Sequence, residues 1–385
     1  MTIFCSDKLQ KITTPFYYYD SVLLEETLNE VKKREAAYSN YEVHYAVKAN
    51  ANNTILQKIQ QKGFGADCVS GGEILAAIEA GFSPNKIVFA GVGKSDWEIN
   101  VGLDQNIFCF NVESIPELLV INELATAKQK KASIAIRLNP DVKADTHANI
   151  STGQKETKFG IYFEDMDKVL DVLRTCDAIE LIGIHFHIGS QILKMDNFVS
   201  LCQRINQIQD HLEQVGVQLK HINVGGGLGI NYTDPEQDPI PNFADYFAVF
   251  NTHLHLRDTQ KLHFELGRSI VAQCGSLISK VLYIKEGVNK KFAILDAGMT
   301  ELIRPALYQA YHKIENISNP QEEYEEYDVV GPICESSDVF NKNVKLNVAK
   351  RGDLIAIRSA GAYGEVMASG YNCRTLPKSY FSEEV

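Results

Sequence analysis

The chain has 385 residues, and Lys+Arg 38 against Asp+Glu 49 gives a formal net charge of −11 with 45% hydrophobic residues. That balance argues against nucleic acid or an anionic membrane as partner, and the length suits one large α/β domain plus a smaller second one. No apolar run is long enough to span a bilayer, Met1 to Thr14 lacks a signal peptide's apolar core, and the eight cysteines stand singly without zinc-ligand spacing, so a reducing cytoplasm is expected.

The segment from Thr14 to Asp20 is rich in aromatics and reads as a strand. Short β-branched runs then follow at Val43–Val47, Ala66–Val69, Ile87–Ala90, Ile107–Phe110, Ile134–Leu138, Ile182–Phe186, His221–Val224 and Leu262–Glu265. Amphipathic stretches such as Ile74–Ala80, Glu113–Ala127, Asp165–Thr175 and Phe198–Val215 alternate with them. Eight strand–helix units in a row predict a (β/α)8 TIM-like barrel over residues 24–268. After Arg268 the runs Leu277–Ile284, Phe292–Asp296, Tyr327–Val330 and Leu354–Ile357 are separated by turns at Gly331-Pro332 and Arg351-Gly352-Asp353. Residues 269–385, joined by 1–23, are therefore expected to form a mostly-β domain of Greek-key or sandwich type.

Barrel chemistry sits in the loops after the strands' carboxyl ends. Those ends carry Lys48, Asp67, Arg137 with Asn139, His187 with Ser190, Gly225-Gly226-Gly227, and Glu265-Leu266-Gly267-Arg268. Read alone, Lys48 is a salt-bridged lysine at a strand end; the rest of the rim gives it a covalent job. The glycine run and Gly267-Arg268 sit where barrels commonly hold phosphate, with backbone N–H groups and a guanidinium as donors. The run is no dinucleotide fingerprint, because Ile230 stands where glycine is needed. Gly91-Val92-Gly93-Lys94-Ser95 is no P-loop, because Val88 stands at the required first glycine. His185-Phe186-His187 has three readings: a metal pair, core histidines, or a ring stacked on a flat cofactor. No clear carboxylate set supports the metal, so none is expected. A lysine amine, a phosphate cradle, a stacking histidine and a rim glutamate together call for pyridoxal 5'-phosphate, with Glu265 as the anion at the pyridine nitrogen.

With these residues in place, the chain resembles the barrel-type (fold type III) pyridoxal-phosphate decarboxylases, within them the branch acting on meso-diaminopimelate, from Thr14 to about Arg374. The motifs are Tyr45-Ala46-Val47-Lys48-Ala49-Asn50, Asp67-Cys68-Val69-Ser70-Gly71-Gly72-Glu73, Thr146-His147 through Ser151-Thr152-Gly153, Lys158-Phe159-Gly160 and His185-Phe186-His187-Ile188-Gly189-Ser190-Gln191. Arg304-Pro305-Ala306-Leu307-Tyr308, Gly331-Pro332-Ile333-Cys334-Glu335-Ser336 and Gly361-Ala362-Tyr363-Gly364 complete them. The resemblance implies that Lys48 carries the cofactor aldehyde, His187 stacks on its ring, and Glu265 binds its ring nitrogen. Asp67 belongs to the cofactor site. Ser190, Gly227, Gly267 and Arg268 would hold or flank the phosphate, and Tyr363 would touch cofactor and substrate. Arg268, Arg304 and Tyr308 would face the substrate, the last two clamping the carboxylate that is kept. Cys334 would donate a proton and Glu335 would meet the distal ammonium, both entering from a second copy, which implies a homodimer. The expected reaction yields L-lysine and carbon dioxide. Decarboxylases of carboxynorspermidine, arginine or ornithine, a racemase, a silent binding homologue and a metal hydrolase are the rivals. One departure stands out: Leu266 replaces the proline of the usual Glu-Pro-Gly-Arg.

Overall fold

The computed structural model describes residues 4, 6–140, 158–319 and 323–385. The Thr146-to-Gly153 motif lies outside these residues. The chain forms two compact units: Leu28–Gly229 with Asn242–Gly267, and Met1–Thr27 with Ile230–Pro241 and Arg268–Val385.

The strands in chain order begin with β1 (Phe16–Tyr19), β2 (Tyr41–Ala46), β3 (Gly65–Cys68), β4 (Ile87–Phe89), β5 (Cys109–Val112), β6 (Ala132–Asn139), β7 (Ile161–Tyr162), β8 (Ile179–His185), β9 (His221–Asn223) and β10 (Lys261–Leu266). In the first unit β2–β6 and β8–β10 pair in parallel and close into an eight-stranded barrel, β2 lying against β10 and β5 against β6, while β7 adds to β6 outside the ring. Closure leaves no free edge and buries both strand faces, which is why β3, β4 and β5 are buried along their whole length, with Asp67 and Asn111 as the polar residues among them. Several helices behind the strands start on side-chain caps. Asn52, Ser70, Ser95 and Asn242 accept the backbone N–H of Thr54, Glu73, Glu98 and Asp245, each satisfying one orphan donor of a first turn.

Two expected boundaries move for physical reasons. The strand expected at Ile107–Phe110 runs instead over Cys109–Val112, because Asn106 caps the preceding helix in the left-handed region and Ile107 N–H returns to Gly102 O at 3.2 Å. The helix expected from Glu113 starts at Ile115, since Ser114 is its cap and Glu113 is used elsewhere.

Inside the barrel three histidines form a chain. His44 Nδ1 lies 3.0 Å from Lys86 O, which can only accept, so Nδ1 carries the proton. In the neutral chain His44 Nε2 then accepts from His263 Nδ1 at 2.9 Å, and His263 Nε2 accepts from His221 Nδ1 at 2.8 Å. Burial lowers the pKa of all three rings. Gly65 is required there: a Cβ would stand 2.3 Å from His44 Nδ1. Glu42, His44 and His263 bring donor atoms near one another. Yet the two ring nitrogens share a hydrogen bond, closer than the about 3.3 Å that tetrahedral ligands need at roughly 2.0–2.1 Å from zinc, and Glu42 meets the Lys261 ammonium.

The second unit is mostly β. Its later strands are β11 (Gly275–Glu286), β12 (Lys291–Leu295), β13 (Ile314–Asn316), β14 (Tyr324–Val330), β15 (Val339–Asn347), β16 (Leu354–Ile357) and β17 (Lys378–Phe381). They pair in the order β13-β16-β11-β12-β14-β15, and the aromatic β1 joins them between β11 and β17. Phe16 and Tyr18 pack with Leu9, Ile278, Leu354 and Ala356 into one core, which is why this early strand belongs here.

Candidate active site

Lys48 lies in a single 3-10 turn, Val47–Ala49, directly after β2. Its Nζ donates to Asp67 Oδ2 at 2.8 Å, from β3 next door. The pair is lopsided: the Lys48 side chain is 36% exposed, while that of Asp67 is 0% exposed. Burial, with the nearby Glu265 charge adding to it, pushes the Asp67 carboxyl up to about 6 against the pull of Lys48.

Glu265 sits on β10 inside the barrel and is buried. Its Oε1 accepts from Asn223 Nδ2 at 2.7 Å and Asn111 Nδ2 at 3.2 Å; its Oε2 meets His185 Nε2 at 3.1 Å. Burial by itself would raise this carboxyl. His185 and then Lys48 outweigh it and hold Glu265 well below the usual carboxylate range. A buried carboxylate that stays anionic suits a cationic ring nitrogen. His185 thus serves Glu265 through Nε2. Asn111 and Asn223 were not singled out in the sequence; their signal is a polar residue at an inward strand position.

His187 follows β8. Its Nδ1 accepts the Gly226 N–H at 3.4 Å, and burial, with the charges of Arg137 and Lys48, lowers its pKa to about 3. The ring is therefore neutral in the working range, as flat stacking requires. The glycine run packs tightly behind it: a Cβ on Gly226 would stand 1.9 Å from Glu265 O, and Gly227, at φ +106, would place one 2.7 Å from Gly189 O. That approach ties Gly227 to the loop bearing Ser190, with Ile192 N–H donating to Gly227 O at 2.8 Å. Leu266 is the last residue of β10, paired with Tyr45 and buried.

Two rim groups prove to be braces. Arg137 Nη1 donates to Glu113 Oε1 at 2.9 Å, which also takes the Gly91 N–H at 2.9 Å. Lys94 is 1% exposed and donates to Gly91 O, Asn111 O and Glu117 Oε1.

The second unit holds another cluster. Arg268 and Arg304 are both buried. Arg268 Nη1 donates to Tyr232 Oη at 2.5 Å, and its guanidinium lies 4.9 Å over the Tyr363 ring. Arg304 lies 4.9 Å over Tyr232. Tyr363 adopts φ 56, a left-handed conformation rare outside glycine and typical of functional positions. Tyr308 ends the short helix Arg304–Tyr308. Cys334 and Glu335 stand exposed on a turn, which the buried Asp338 carboxylate shapes by accepting the N–H groups of Ile333 at 2.7 Å and Met299 at 2.6 Å. Tyr371 Oη donates to Glu335 Oε1 at 2.8 Å.

A carboxylate held anionic, a lysine at the rim and a glycine loop with no room for side chains fit pyridoxal phosphate. The family profile described as pyridoxal-dependent decarboxylase, pyridoxal binding domain, matches residues 24–272. The chain belongs to that family. A diaminopimelate decarboxylase of Bacteroides thetaiotaomicron is 64% identical over 383 residues, covering 100% of this chain and 99% of the relative. Another, from Zymomonas mobilis, is 42% identical over 369 residues, covering 94% and 86%. Among solved structures, diaminopimelate decarboxylase from Helicobacter pylori complexed with L-lysine superposes with a TM-score of 0.91 at 41% identity, over 98% of this chain and 94% of that one. The cofactor of the family, and of this chain, is pyridoxal phosphate.

Proposed function

We propose that this chain catalyses the decarboxylation of meso-2,6-diaminopimelate to L-lysine and carbon dioxide, the last step of lysine biosynthesis. The observation that carries this reading is the 64% identity, over the whole chain, to a diaminopimelate decarboxylase.

Pyridoxal phosphate, when bound, supplies an aldehyde that condenses with amines and a ring that takes up the electron pair left by departing carbon dioxide. Lys48 would hold the cofactor through Nζ, and Asp67, which accepts from that amine at 2.8 Å, would orient it. Glu265, held anionic, would keep the ring nitrogen protonated, and the neutral His187 would lie against the ring. Ser190, Gly227, the Gly267 backbone and Arg268 bind the phosphate or border it. Tyr363 contacts cofactor and substrate, and Arg268 also faces the substrate. Arg304 and Tyr308 clamp the carboxylate that is kept. Cys334 donates its Sγ proton to the carbon that lost carbon dioxide, and Glu335 meets the distal ammonium. Both come from a second copy of the chain, so the working form is a homodimer; their exposure on a single chain supports this. In this reading residues 24–268 bind the cofactor, residues 1–23 plus 269–385 supply substrate groups, and the enzyme works in the cytoplasm without nucleic acid or membrane partners. Among the described residues no helix is long and apolar enough to cross a membrane.

The test is carbon dioxide release by cofactor-loaded protein from meso-diaminopimelate, ornithine, arginine and carboxynorspermidine in parallel. Release from diaminopimelate alone, with lysine as product, is expected; release from another amine instead overturns the substrate.

A further inference from the structure

Arg304 has a supporting residue that the family motifs quoted above do not include. Its Nη1 lies 2.8 Å from His312 Nε2, and both side chains are buried. An arginine has no acceptor to offer, so this contact exists only if His312 Nε2 presents a lone pair. The other ring nitrogen settles that it does. His312 Nδ1 lies 2.8 Å from Arg358 O, and a carbonyl oxygen only accepts, so Nδ1 carries the proton and Nε2 does not. The tautomer follows from two distances without a choice.

The carbonyl that sets the tautomer is itself fixed. Arg358 N–H donates to Lys313 O at 2.9 Å, next to His312 in sequence. Its side chain donates from Nη1 to Glu236 Oε1 and Glu315 Oε2, each at 2.6 Å. Tyr232 closes the other side: its ring packs edge-on against His312 at 5.1 Å and lies under the Arg304 guanidinium at 4.9 Å. The guanidinium is thus held between His312 and Tyr232. Burial and the charge of Arg304 lower the His312 pKa to about 3, so the acceptor persists through any working pH.

We propose that His312 is a positioning residue for substrate specificity: through Nε2 it fixes the Arg304 guanidinium in the orientation that receives the carboxylate the substrate keeps. This rests on the diaminopimelate reading above. A freely turning arginine would still attract an anion, but it would lose the orientation that makes a two-point hydrogen bond to a carboxylate.

Two polar variants separate the ring's two bonds. In His312→Asn the short amide can still donate to Arg358 O but cannot reach Arg304. In His312→Gln the longer amide places an oxygen near the Nε2 position and keeps the acceptor. Three quantities are read on each cofactor-loaded variant: kcat and KM for meso-diaminopimelate, inhibition by L-lysine, and inhibition by 1,5-diaminopentane, which lacks the carboxylate. For His312→Asn, KM and the L-lysine inhibition constant should both rise by about tenfold to a hundredfold, the worth of one hydrogen bond to a charged group. Its kcat should fall less, and its diaminopentane inhibition and cofactor absorbance should match wild type. His312→Gln should stay within about threefold of wild type on every readout.

Equal behaviour of the Asn and Gln variants, or equal weakening of L-lysine and diaminopentane, would overturn the inference. Wild-type protein that releases no carbon dioxide from diaminopimelate would instead sink the functional reading, and this inference with it.

Discussion

Replacing Glu265 by glutamine changes one atom and removes one buried charge. Asn223 and Asn111 converge on Oε1 and His185 on Oε2, so the new amide keeps both asparagine bonds only with its oxygen at the Oε1 position. Its NH2 then faces His185 Nε2, and the histidine must move its proton to Nδ1. That nitrogen is buried with no hydrogen-bond partner, and an unsatisfied buried donor costs about 1–3 kcal/mol. The expected loss of stability is therefore small, a few degrees in Tm. Catalysis should suffer more. A carboxylate roughly 4 Å from a cationic ring nitrogen is worth about 4 kcal/mol at an effective dielectric constant of 20, close to a factor of 10³ in the protonation equilibrium. Carbon dioxide release by Glu265→Gln should fall by about 10²–10³-fold in protein whose melting curve and bound-cofactor content remain near normal. A folded, cofactor-loaded variant with a kcat within about tenfold of wild type would refute the role assigned to this carboxylate.

Lys94→Met leaves Glu117 charged and buried without its partner; it should cost about 3–5 kcal/mol in denaturant unfolding, and an unchanged midpoint would contradict the brace. Glu73 has its pKa raised to about 7, chiefly by burial, so the folded state holds this proton more tightly than the unfolded chain. Wild type therefore loses stability as pH rises from about 4.5 to about 7. The Glu73→Gln variant should gain relative to it by on the order of 2–3 kcal/mol at pH 8 and little at pH 4.5; urea titrations at both pH values would expose a wrong sign. Lys48→Ala and Cys334→Ala should each be inactive alone. If each site draws on both copies, subunit exchange should restore about a quarter of wild-type activity, since half the dimers are mixed and each mixed dimer has one intact site; no recovery after verified exchange would argue against a shared site.

The barrel was legible because closure forces a rhythm: short runs buried on both faces, alternating with helices, several of which start on a side-chain cap. Lys48, Asp67, His187 and Glu265 could be named because each is a polar residue at a strand's carboxyl end, where a buried apolar residue would otherwise be expected. Asn111 and Asn223 also lie on inward strand positions, but asparagine is common and neither carries a charge that demands explanation. Tyr232 and His312 were out of reach for another reason. Tyr232 stands in the segment Ile230–Pro241, between β9 and β10 in sequence, yet it packs in the other unit, against arginines 36 and 72 residues away. No local period reports such a crossing.

Four acid–base pairs in the barrel differ in how they are closed off from solvent. Side-chain exposure is 1% and 9% for Lys94 with Glu117, 8% and 2% for Arg137 with Glu113, and 1% and 4% for His185 with Glu265. Each of these is closed on both sides, as a buried pair must be to offset its desolvation. Lys48 with Asp67 breaks the rule, at 36% and 0%. Asp67 moreover leaves Oδ1 buried without a partner, so its carboxylate is under-satisfied where those of Glu113, Glu117 and Glu265 each accept through both oxygens. A brace gains nothing from a half-exposed lysine and a half-served anion. In the proposed function Lys48 must give up one partner and take another, and a half-exposed side chain beside a carboxylate with one oxygen unserved suits that role better than it suits a brace.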